Sequence, residues 1–564
     1  MKKHLIFLFL FNITFSQYVS LNHSQIEEEI SFKILNDEIK TDISNTIRPI
    51  NLDNLSYLKN ENILISNYSK NLLKNKTESI KFDILPVDYF IDFNSHHPYN
   101  RNNGSMIPNK GYQHLISFGF KVNLGPLHIK FNPEHHFAQN LKFDTFWEGH
   151  YPEIWAERYK LWNRIDMPER FGNNQHNRTL LGQSSIGIRW KNFNLSLSTE
   201  NLWWGPSKRN SIMMSNHAEG FKHISFASIK PIKTKIGFFE YKLISGRLEH
   251  SFFTPTNPDY EAGGTKLYVA KRNQMGEIGD WRYLQALVIT FSPKIIDDLT
   301  IGYVRWVQFY NAFLKGRYFW IPGKPNYFPV FGNLLRSNDV DNDVEGQTDQ
   351  AAGLFLNWIW KDSKAKFFVE FYHNDSKYNL RDLILDSDHS RALTIGLDKI
   401  FKINNKNFMF SWEWTQMEQS AGQLLRNAGS WYEHAWVLDG YTHKGEVLGS
   451  SIGPGSNSQF FSLQKINKNH KIAISAEIIE HDNDFYHNAF SSAKDFRRYW
   501  KDFNLHFGYS KKFQNLWLSS KIIFIRSLNY QWELVESEKA YYQPGRDISN
   551  FHLSAKIQYQ IPFN

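Results

Sequence analysis

The sequence contains no cysteine, which excludes disulfide bonds, Cys-ligated zinc, iron–sulfur clusters and thiol catalysis. It also lacks long apolar runs: after Phe11 there is no stretch of about 18 uninterrupted apolar residues, so no membrane-spanning helix is predicted. The Gly-x-Ser-x-Gly elbow, the His-Glu-x-x-His helix and the Gly-x-x-x-x-Gly-Lys phosphate loop are missing as well. We therefore expect a protein that is not an enzyme and needs no cofactor.

The first residues predict a signal peptide over residues 1–17. Lys2 and Lys3 give a positively charged start, Leu5 to Phe11 form an apolar core, and Ser16 is a small residue near the expected cleavage point. The apolar core is too short to cross a bilayer as a helix, which needs about 20 residues. We therefore expect an exported mature chain.

The composition is polar on average but rich in aromatic side chains. The mean hydropathy is −0.50, and 16% of the residues are aromatic. Both values are compatible with a membrane β-barrel, because a barrel strand faces lipid with only every second residue and places aromatic girdles at both interfaces. The net charge of +9 favours anionic partners such as lipid headgroups or acidic polysaccharide. Nucleic acid is not expected as a partner of an exported protein.

Apolar and polar residues alternate with period two in several segments, including residues 116–124, 193–198, 408–415 and 503–510. Such alternation is typical of strands with one apolar and one polar face. The clearest case is the C-terminal strand from Phe551 to Phe563, which is roughly twice as long as the usual soluble strand of about 5–6 residues. Its length favours a membrane barrel over a soluble β-sandwich.

The chain from Pro86 onwards is long enough for about 16–18 strands, at roughly 25–30 residues for each strand with its connection. We therefore predict an all-β fold, a large antiparallel outer-membrane β-barrel over residues 86–564. Residues 18–85 contain no Trp and predict a separate N-terminal periplasmic segment, with a short amphipathic helix between residues 26 and 39. A partly disordered leader is the alternative for this segment.

Two other segments interrupt the alternation and are expected outside the lipid. Residues 155–164 have helical spacing, and residues 337–350 are acidic and polar. Within the acidic segment, Asp339, Asp341, Asp343 and Glu345 alternate like calcium ligands, but Val344 stands where an EF-hand loop needs glycine. The adjacent histidines at 96–97 and 135–136 would point to opposite faces of a strand. We therefore predict no metal site and a solvated loop at residues 337–350, with weak calcium binding by this loop as the alternative.

A cluster of aromatic and basic residues follows the strand at 193–198. It reads Asn-Leu-Trp-Trp-Gly-Pro-Ser-Lys-Arg-Asn over residues 201–210. Trp rings stack on the C–H faces of sugars, while Arg and Asn bind hydroxyl and carboxylate groups. The alternative is that the two Trp side chains anchor the strand end in the interfacial aromatic girdle.

Three groups of segments resemble the Wzi-type capsule assembly outer-membrane proteins, in the form common in Bacteroidetes-like genomes. The groups are Phe131 to Asn140 with Ile165 to Gly172; Leu181 to Ser185, Leu195 to Pro206, Asn210 to Asn216 and Gly246 to Glu249; and Val369 to Asp375, Gly440 to Gly449 and Ile452 to Ser458. They occur in the expected order over most of residues 85–560. The resemblance implies a barrel of about eighteen strands with a small periplasmic helical part, and it supplies no catalytic residue.

The resemblance also implies a lectin-like role, in which the protein binds exported capsular polysaccharide and helps to assemble or attach it at the cell surface. The alternatives are a porin-like passive channel and an accessory of a secretion or gliding apparatus. Expected partners besides polysaccharide are outer-membrane lipid, lipopolysaccharide and the barrel-assembly machinery. From residue type and their place in the resembling segments, we predict a sugar-facing set of Trp203, Trp204, Lys208, Arg209, Trp431 and Tyr441.

Overall fold

The computed structural model describes residues 21, 24–39, 43–50, 70–75, 78–273, 275–314, 328–332, 348–374, 379–490, 498–533 and 545–561. The predicted signal peptide, the calcium-like residues 339–345 and the chain end with Phe563 lie outside these described residues. Among the described residues, no helix is long and apolar enough to cross a membrane.

One antiparallel sheet of 24 strand segments forms the body of the protein. Four strands consist of two collinear segments each, and Lys70–Asn75 and Ile232–Lys233 are short additions, so the sheet contains 18 strands. Neighbours in the chain are neighbours in the sheet, and the last strand pairs with the first, so the sheet closes into a barrel. The predicted all-β barrel of about 16–18 strands is confirmed.

The strands are numbered in chain order and have the following bounds: β1 Glu78–Ile84 and Val87–Asn94, β2 Gly111–Ser117 and Phe120–Leu124, β3 Leu127–Phe131 and Glu134–Ala138, β4 His176–Leu180 and Ser185–Trp190, β5 Phe193–Ser198, β6 His223–Ser228, β7 Gly237–Leu248, β8 Arg282–Pro293, β9 Leu299–Tyr310, β10 Asp349–Trp360, β11 Ala365–Asn374, β12 Arg391–Ile403, β13 Lys406–Gln416, β14 Asn457–Ile466, β15 His470–Glu480, β16 Lys501–Lys512, β17 Leu516–Leu528 and β18 Ile548–Tyr559.

The barrel begins before the predicted limit at residue 86. Pro86 lacks a backbone N–H and interrupts β1, while Leu85 just before it still donates its N–H to the carbonyl of Gly119 at 2.9 Å. On the other side of this break, pairing with β2 continues from Ile84 down to Ile80. Sequence alternation is weak in this first part, so Pro86 looked like a boundary although the strand runs through it.

The two faces of the strands differ as the alternation predicts. In β18, His552, Lys556 and Gln558 are buried, whereas Ile557 and Tyr559 are exposed. The same contrast runs around the wall, and the outward side chains form a belt of exposed apolar residues that includes Leu195, Leu197, Ile472, Ile474, Leu505 and Phe507. A polar interior with an apolar outer belt is the arrangement that lipid requires of a transmembrane barrel.

The two ends of the barrel differ in their connections. At one end the strands are joined by short turns, for example the two residues Gly125 and Pro126 between β2 and β3. At the other end the connections are long, and those over residues 139–175, 199–222 and 417–456 carry most of the non-barrel structure. Because outer-membrane barrels have short periplasmic turns and long extracellular loops, we assign the long-loop end to the cell exterior.

Helix α1 (Ser24–Leu35) confirms the predicted N-terminal helix and lies in the short-turn end of the lumen. Its apolar residues Ile26, Ile30 and Ile34 pack against Trp517, an inward-facing residue of β17. The chain then runs further into the lumen, where Ile47–Arg48 pairs antiparallel with Trp203–Trp204. The N-terminal segment therefore occupies the interior of the barrel as well as its mouth.

Helix α2 (Pro152–Trp162) lies in the loop between β3 and β4 and confirms the helical spacing of residues 155–164. Proline at the start of a helix is favourable because its missing N–H would have no partner there. The buried face of α2, with Trp155, Tyr159 and Trp162, packs against Phe485 of α3 (Asn483–Ala489) in an aromatic cluster. This cluster joins the loops at the exterior end.

We predict that Ile30→Ala releases α1 from the lumen, because deleting a fully buried isoleucine side chain costs about 2–5 kcal/mol. Limited proteolysis of the purified protein in detergent should then cut the N-terminal segment faster than in the unaltered protein. Glu38→Ala, at an exposed position just after the helix, is the control and should leave the cleavage rate unchanged. Equal cleavage of the two variants would contradict the packing of α1.

Candidate functional site

Two long loops, residues 199–222 and 417–456, fold back into the exterior half of the lumen. Their apolar side chains share one core with inward residues of β7 to β12. The loop members of this core are Leu202, Trp204, Ile212, Met213, Met214, Ala218, Phe221, Met417, Trp431, Tyr432, Tyr441, Val447, Leu448 and Ile452. We call these two loops the plug. The barrel is thus filled by its own exterior loops at one end and by α1 at the other.

Carboxylates on the barrel wall hold the first plug loop by its backbone. Glu370 of β11 accepts the N–H of Ser207 at 2.9 Å. Glu413 of β13 accepts three consecutive N–H groups, those of Lys208 at 2.9 Å, Arg209 at 3.2 Å and Asn210 at 2.8 Å. Hydrogen bonds from backbone N–H groups to a carboxylate are charge-assisted and stronger than neutral ones. The turn at 207–210 is therefore fixed to two alternate strands.

The basic side chains of the same turn pair with further wall carboxylates. Lys208 Nζ lies 2.8 Å from Asp398 of β12, and Arg209 lies 2.8 Å from Glu477 of β15. Arg101, from the loop after β1, reaches the other oxygen of Glu477 at 3.3 Å. Burial alone would lower the pKa of Arg209, but Glu477 and Tyr99 raise it well above its ordinary value. Arg209 is therefore permanently charged and held in place.

Gly205 allows this close approach of the loop to the wall. It has a φ of +115°, and a Cβ atom at this position would collide with the Oε1 atom of Glu370. Glycine is the residue that adopts such a φ at little cost, and it has no side chain to block the contact. The Trp-Trp-Gly-Pro run thus has a structural explanation in the turn toward the wall.

The second plug loop is held by a wall cation and by two tyrosines. Arg282 of β8 donates to the carbonyl oxygens of Gly440 and, at 3.0 Å, Thr442. Tyr441 stacks on Trp306 of β9 with ring centroids 4.0 Å apart, and its hydroxyl donates to the carbonyl of Met213 at 2.8 Å. Tyr432 donates to the carbonyl of Ile212, also at 2.8 Å. The two loops are therefore bonded to each other as well as to the wall.

A histidine between two carboxylates joins three loops beside the plug. His250 Nδ1 lies 2.8 Å from Asp439 and 3.1 Å from Asp166. Burial alone would lower the pKa of His250, but its hydrogen bonds to the two carboxylates raise it to about 9. These three side chains could geometrically hold a metal ion. Asp166 and Asp439 are, however, already bonded by Ser251 and Tyr310, which fits an imidazolium bridge.

A cavity of about 430 Å³ lies between the plug and α1. Its polar lining contains more basic than acidic side chains: the basic ones are Arg48, Arg101, Lys208, Arg209, Lys471, Lys521 and Lys556, and the acidic ones are Glu27, Glu28, Asp88, Asp398 and Glu413. The lining is thus suited to polar or anionic groups.

The six predicted site residues fall into two classes. Lys208 and Arg209 line this cavity together with the edge of Trp203, although both basic side chains are already ion-paired. Trp204, Trp431 and Tyr441 are at most 1% exposed, because they form the apolar core of the plug. Trp203 is 4% exposed and carries Arg48 over its ring at 4.6 Å. In this conformation the aromatic members offer almost no surface to a ligand, and the two Trp rings do not lie in a lipid-interface girdle.

Sequence reasoning did not identify Glu370, Glu413 and Glu477 as the residues that hold the plug. A partial signal was available for Glu413, which stands on the polar face of the predicted strand at 408–415. The predicted sugar-facing set also did not include the exposed loop aromatics Tyr151, Phe252 and Trp436. Nothing in the local pattern distinguishes these rings from those in the plug core.

The closed 18-strand sheet, its apolar outer belt and the loops folded into its lumen define an outer-membrane β-barrel with an internal plug. Residues 96–494 match the family described as "Capsule assembly protein Wzi", and the chain belongs to this family. The predicted family and the predicted location in the outer membrane are confirmed.

Solved structures with a similar fold include Wzi of Escherichia coli, described as an outer-membrane protein involved in group 1 capsule assembly and a carbohydrate-binding β-barrel. It is 11% identical, with a TM-score of 0.59 over 97% of this chain and 99% of that chain. OccAB4 of Acinetobacter baumannii is 9% identical, with a TM-score of 0.37 over 84% and 97% of the two chains. OprD of Pseudomonas aeruginosa is 10% identical, with a TM-score of 0.37 over 87% and 96%. No curated protein sequence matches this chain.

We predict that the His250 bridge makes the loops sensitive to alkaline pH. The folded-state pKa of about 9 lies above the ordinary value of 6.5, so the bridge contributes its full stability below about pH 6.5 and loses it as the pH rises through about 9. Limited proteolysis of the exterior loops should accelerate across this alkaline range. His250→Gln should be cleaved faster than the unaltered protein at neutral pH. Its cleavage rate should then rise less as the pH passes through about 9, a rise that we call the alkaline step.

His434→Gln is the matched control, because His434 lies in the plug loop that also carries Asp439 but accepts backbone N–H groups of Trp436 and Val437. This variant should keep the alkaline step. An unchanged alkaline step in His250→Gln would contradict the role of the bridge.

Proposed function

We propose that this protein is a non-catalytic outer-membrane protein that binds exported capsular polysaccharide and helps to assemble or attach it at the cell surface. The observation that carries the proposal is the plug, which converts long loops into a fixed exterior platform on a barrel large enough to form a pore. Membership of the capsule assembly family supports the same role. The description of the similar Escherichia coli protein as carbohydrate-binding supports it further.

The exterior loops carry aromatic rings that a polysaccharide could reach. Tyr151 is 68% exposed, Phe252 is 68% exposed and Trp436 is 56% exposed. They belong to three different loops, those after β3, β7 and β13. Exposed aromatic faces suit the C–H faces of sugar rings, and Trp offers the largest face. We therefore propose Trp436 as a sugar contact, and we keep Lys208 and Arg209 as polar contacts for groups that enter the cavity.

The remaining partners follow from the outer surface of the barrel. The exposed apolar belt suits outer-membrane lipid, and the net charge of +9 suits the anionic groups of lipopolysaccharide. A strand order in which the C-terminal strand β18 closes on β1 suits insertion by the barrel-assembly machinery.

We predict that Trp436→Ala weakens the binding of purified capsular polysaccharide, because an exposed stacking surface is lost. The expected loss of affinity is roughly twofold to tenfold, as for an aromatic contact worth about 0.5–1.5 kcal/mol. Trp190→Ala is a matched control, since Trp190 is 54% exposed but points outward at the short-turn end of β4. If deletion of the whole protein left capsule retention unchanged and the purified protein bound no capsular glycan, the proposed function would be overturned.

The plug also separates this proposal from a passive channel. We predict that the unaltered protein shows no steady ohmic conductance in planar bilayers, because loops and α1 fill both ends of the lumen. Glu477→Gln should produce intermittent openings, since removing one member of a buried ion pair costs about 3–5 kcal/mol and leaves Arg101 and Arg209 without their carboxylate. Glu480→Gln, three residues further along β15, should stay silent. Steady conductance of the unaltered protein would favour the channel.

A further inference from the structure

A second, smaller cavity of about 90 Å³ lies at the short-turn end of the lumen, on the wall opposite α1. It is bounded by the inward faces of β2 to β7 and covered by the N-terminal segment at residues 43–50. A buried water needs roughly 10–15 Å³ on this measure of volume. The cavity is thus large enough for several waters, or for a charged group with part of one sugar ring.

The floor of this cavity is built from small side chains. Ser196 of β5 and Ser225 of β6 line it and pair with each other across the sheet, and Gly187 of β4 pairs with Ser196 on the other side. Gly187 is needed there because a Cβ atom would collide with the ring of His128 and with Ser196. Small residues on three adjacent strands leave a concave patch with hydroxyl groups.

Basic side chains surround that patch. Lys121, Lys130, Arg189 and Lys242 line the cavity, and the acidic residues among its lining are Glu200 and Glu240. Both carboxylates already have partners: Glu200 binds Lys130 at 2.7 Å, and Glu240 accepts the N–H of Ser44 at 2.7 Å. The formal charge of the lining is therefore positive, which favours an anionic group inside the cavity.

Two buried histidines on the same wall present ring nitrogens that have no protein partner. His223 is 2% exposed, and its Nδ1 atom bonds the carbonyl of Phe221 at 2.8 Å, so Nδ1 is the donor. The Nε2 atom of neutral His223 is then an acceptor without a hydrogen bond, and the Nδ1 atom of His128 is likewise buried without one. A buried acceptor of this kind calls for a donor. A sugar hydroxyl supplies one, whereas a fully ionised inorganic anion does not.

We propose that this cavity is a binding site for an acidic sugar unit, with its carboxylate near Lys242 and Arg189 and a ring hydroxyl donating to His223. The inference deepens the proposed function, because it names the charge class of a saccharide that reaches the periplasmic side of the barrel. The inference rests on the proposed function in one respect: capsular polysaccharide is taken as the source of the acidic sugar. The site itself is defined by lumen residues that are separate from the exterior loops.

The test uses the full-length protein in detergent and three small probes: glucuronate, glucose and inorganic sulfate, which is fully ionised at neutral pH. Titration calorimetry should detect binding of glucuronate and weaker or undetectable binding of the other two. Lys242→Met should lower the affinity for glucuronate by about tenfold or more, as expected for a lost charge-assisted hydrogen bond. His223→Phe should lower it as well, while Lys242→Arg, which keeps the charge, should retain most of it.

Lys361→Met is the matched control, because Lys361 lies in the short turn between β10 and β11, is ion-paired with Asp298 at 2.6 Å and lines neither cavity. It should leave glucuronate binding unchanged, and heat-modifiable migration on gels should show that each variant is folded. Equal binding of sulfate and glucuronate would overturn the sugar assignment, and an equal loss in Lys361→Met would overturn the location. If Trp436→Ala loses polysaccharide binding but still binds glucuronate, the lumen site is independent of the exterior sugar contact.

Discussion

The buried carboxylates of alternate strands are the interaction on which the interior of this protein depends. Glu370, Glu413 and Glu477 project inward from β11, β13 and β15 near the exterior end, and each accepts hydrogen bonds from the same turn at 207–210 or from its side chains. Two charges taken out of water add little net stability unless their geometry is good, but breaking such a pair is costly. The set therefore determines where the loop lies more than how stable the barrel is.

This arrangement explains how a large barrel can be closed without a separate plug domain. The backbone of the wall is satisfied by strand pairing around the full circle, so the sheet itself needs no filling. The lumen of an 18-strand barrel is wide, however, and water would occupy it. Here two loops bring apolar side chains inward, and Trp306, Tyr432 and Tyr441 give them a common core. The loops can pack against a wall that carries carboxylates because their backbone N–H groups, which need hydrogen-bond partners, face Glu370 and Glu413.

The sequence predicts those parts of the fold that follow from local period. Alternation identifies strands and their faces, as in β13 and β18, and the length from Pro86 onwards limits the number of strands. The position of the loops could not be predicted in this way, because it depends on contacts between residues far apart in the chain. Arg209 and Glu477 are separated by 268 positions, and Lys208 and Glu413 by 205.

The candidate site, like the fold, was predictable only as far as local sequence determines it. Residue type drew attention to residues 201–210, but type alone cannot tell a Trp that contacts sugar from one that packs in a core. Trp204 and Trp436 are equally plausible sugar contacts in the sequence, and only burial separates them, at 0% and 56% exposure. The resemblance to a family located the matching segments, but it did not show which of their side chains face a free surface.

Within the part of the chain that the structure describes, the two halves of the interior are connected where Ile47–Arg48 pairs with Trp203–Trp204. Arg48 donates to the carbonyl of Ser207 at 2.8 Å and lies 3.7 Å from Glu27 of α1. Burial lowers the pKa of Arg48, but Glu27 and Glu370 oppose this effect, so the charge is supported from both sides. The N-terminal segment and the exterior loop thus share one buried cation. A contiguous set of contacts through this cation therefore joins the periplasmic and exterior ends of the lumen.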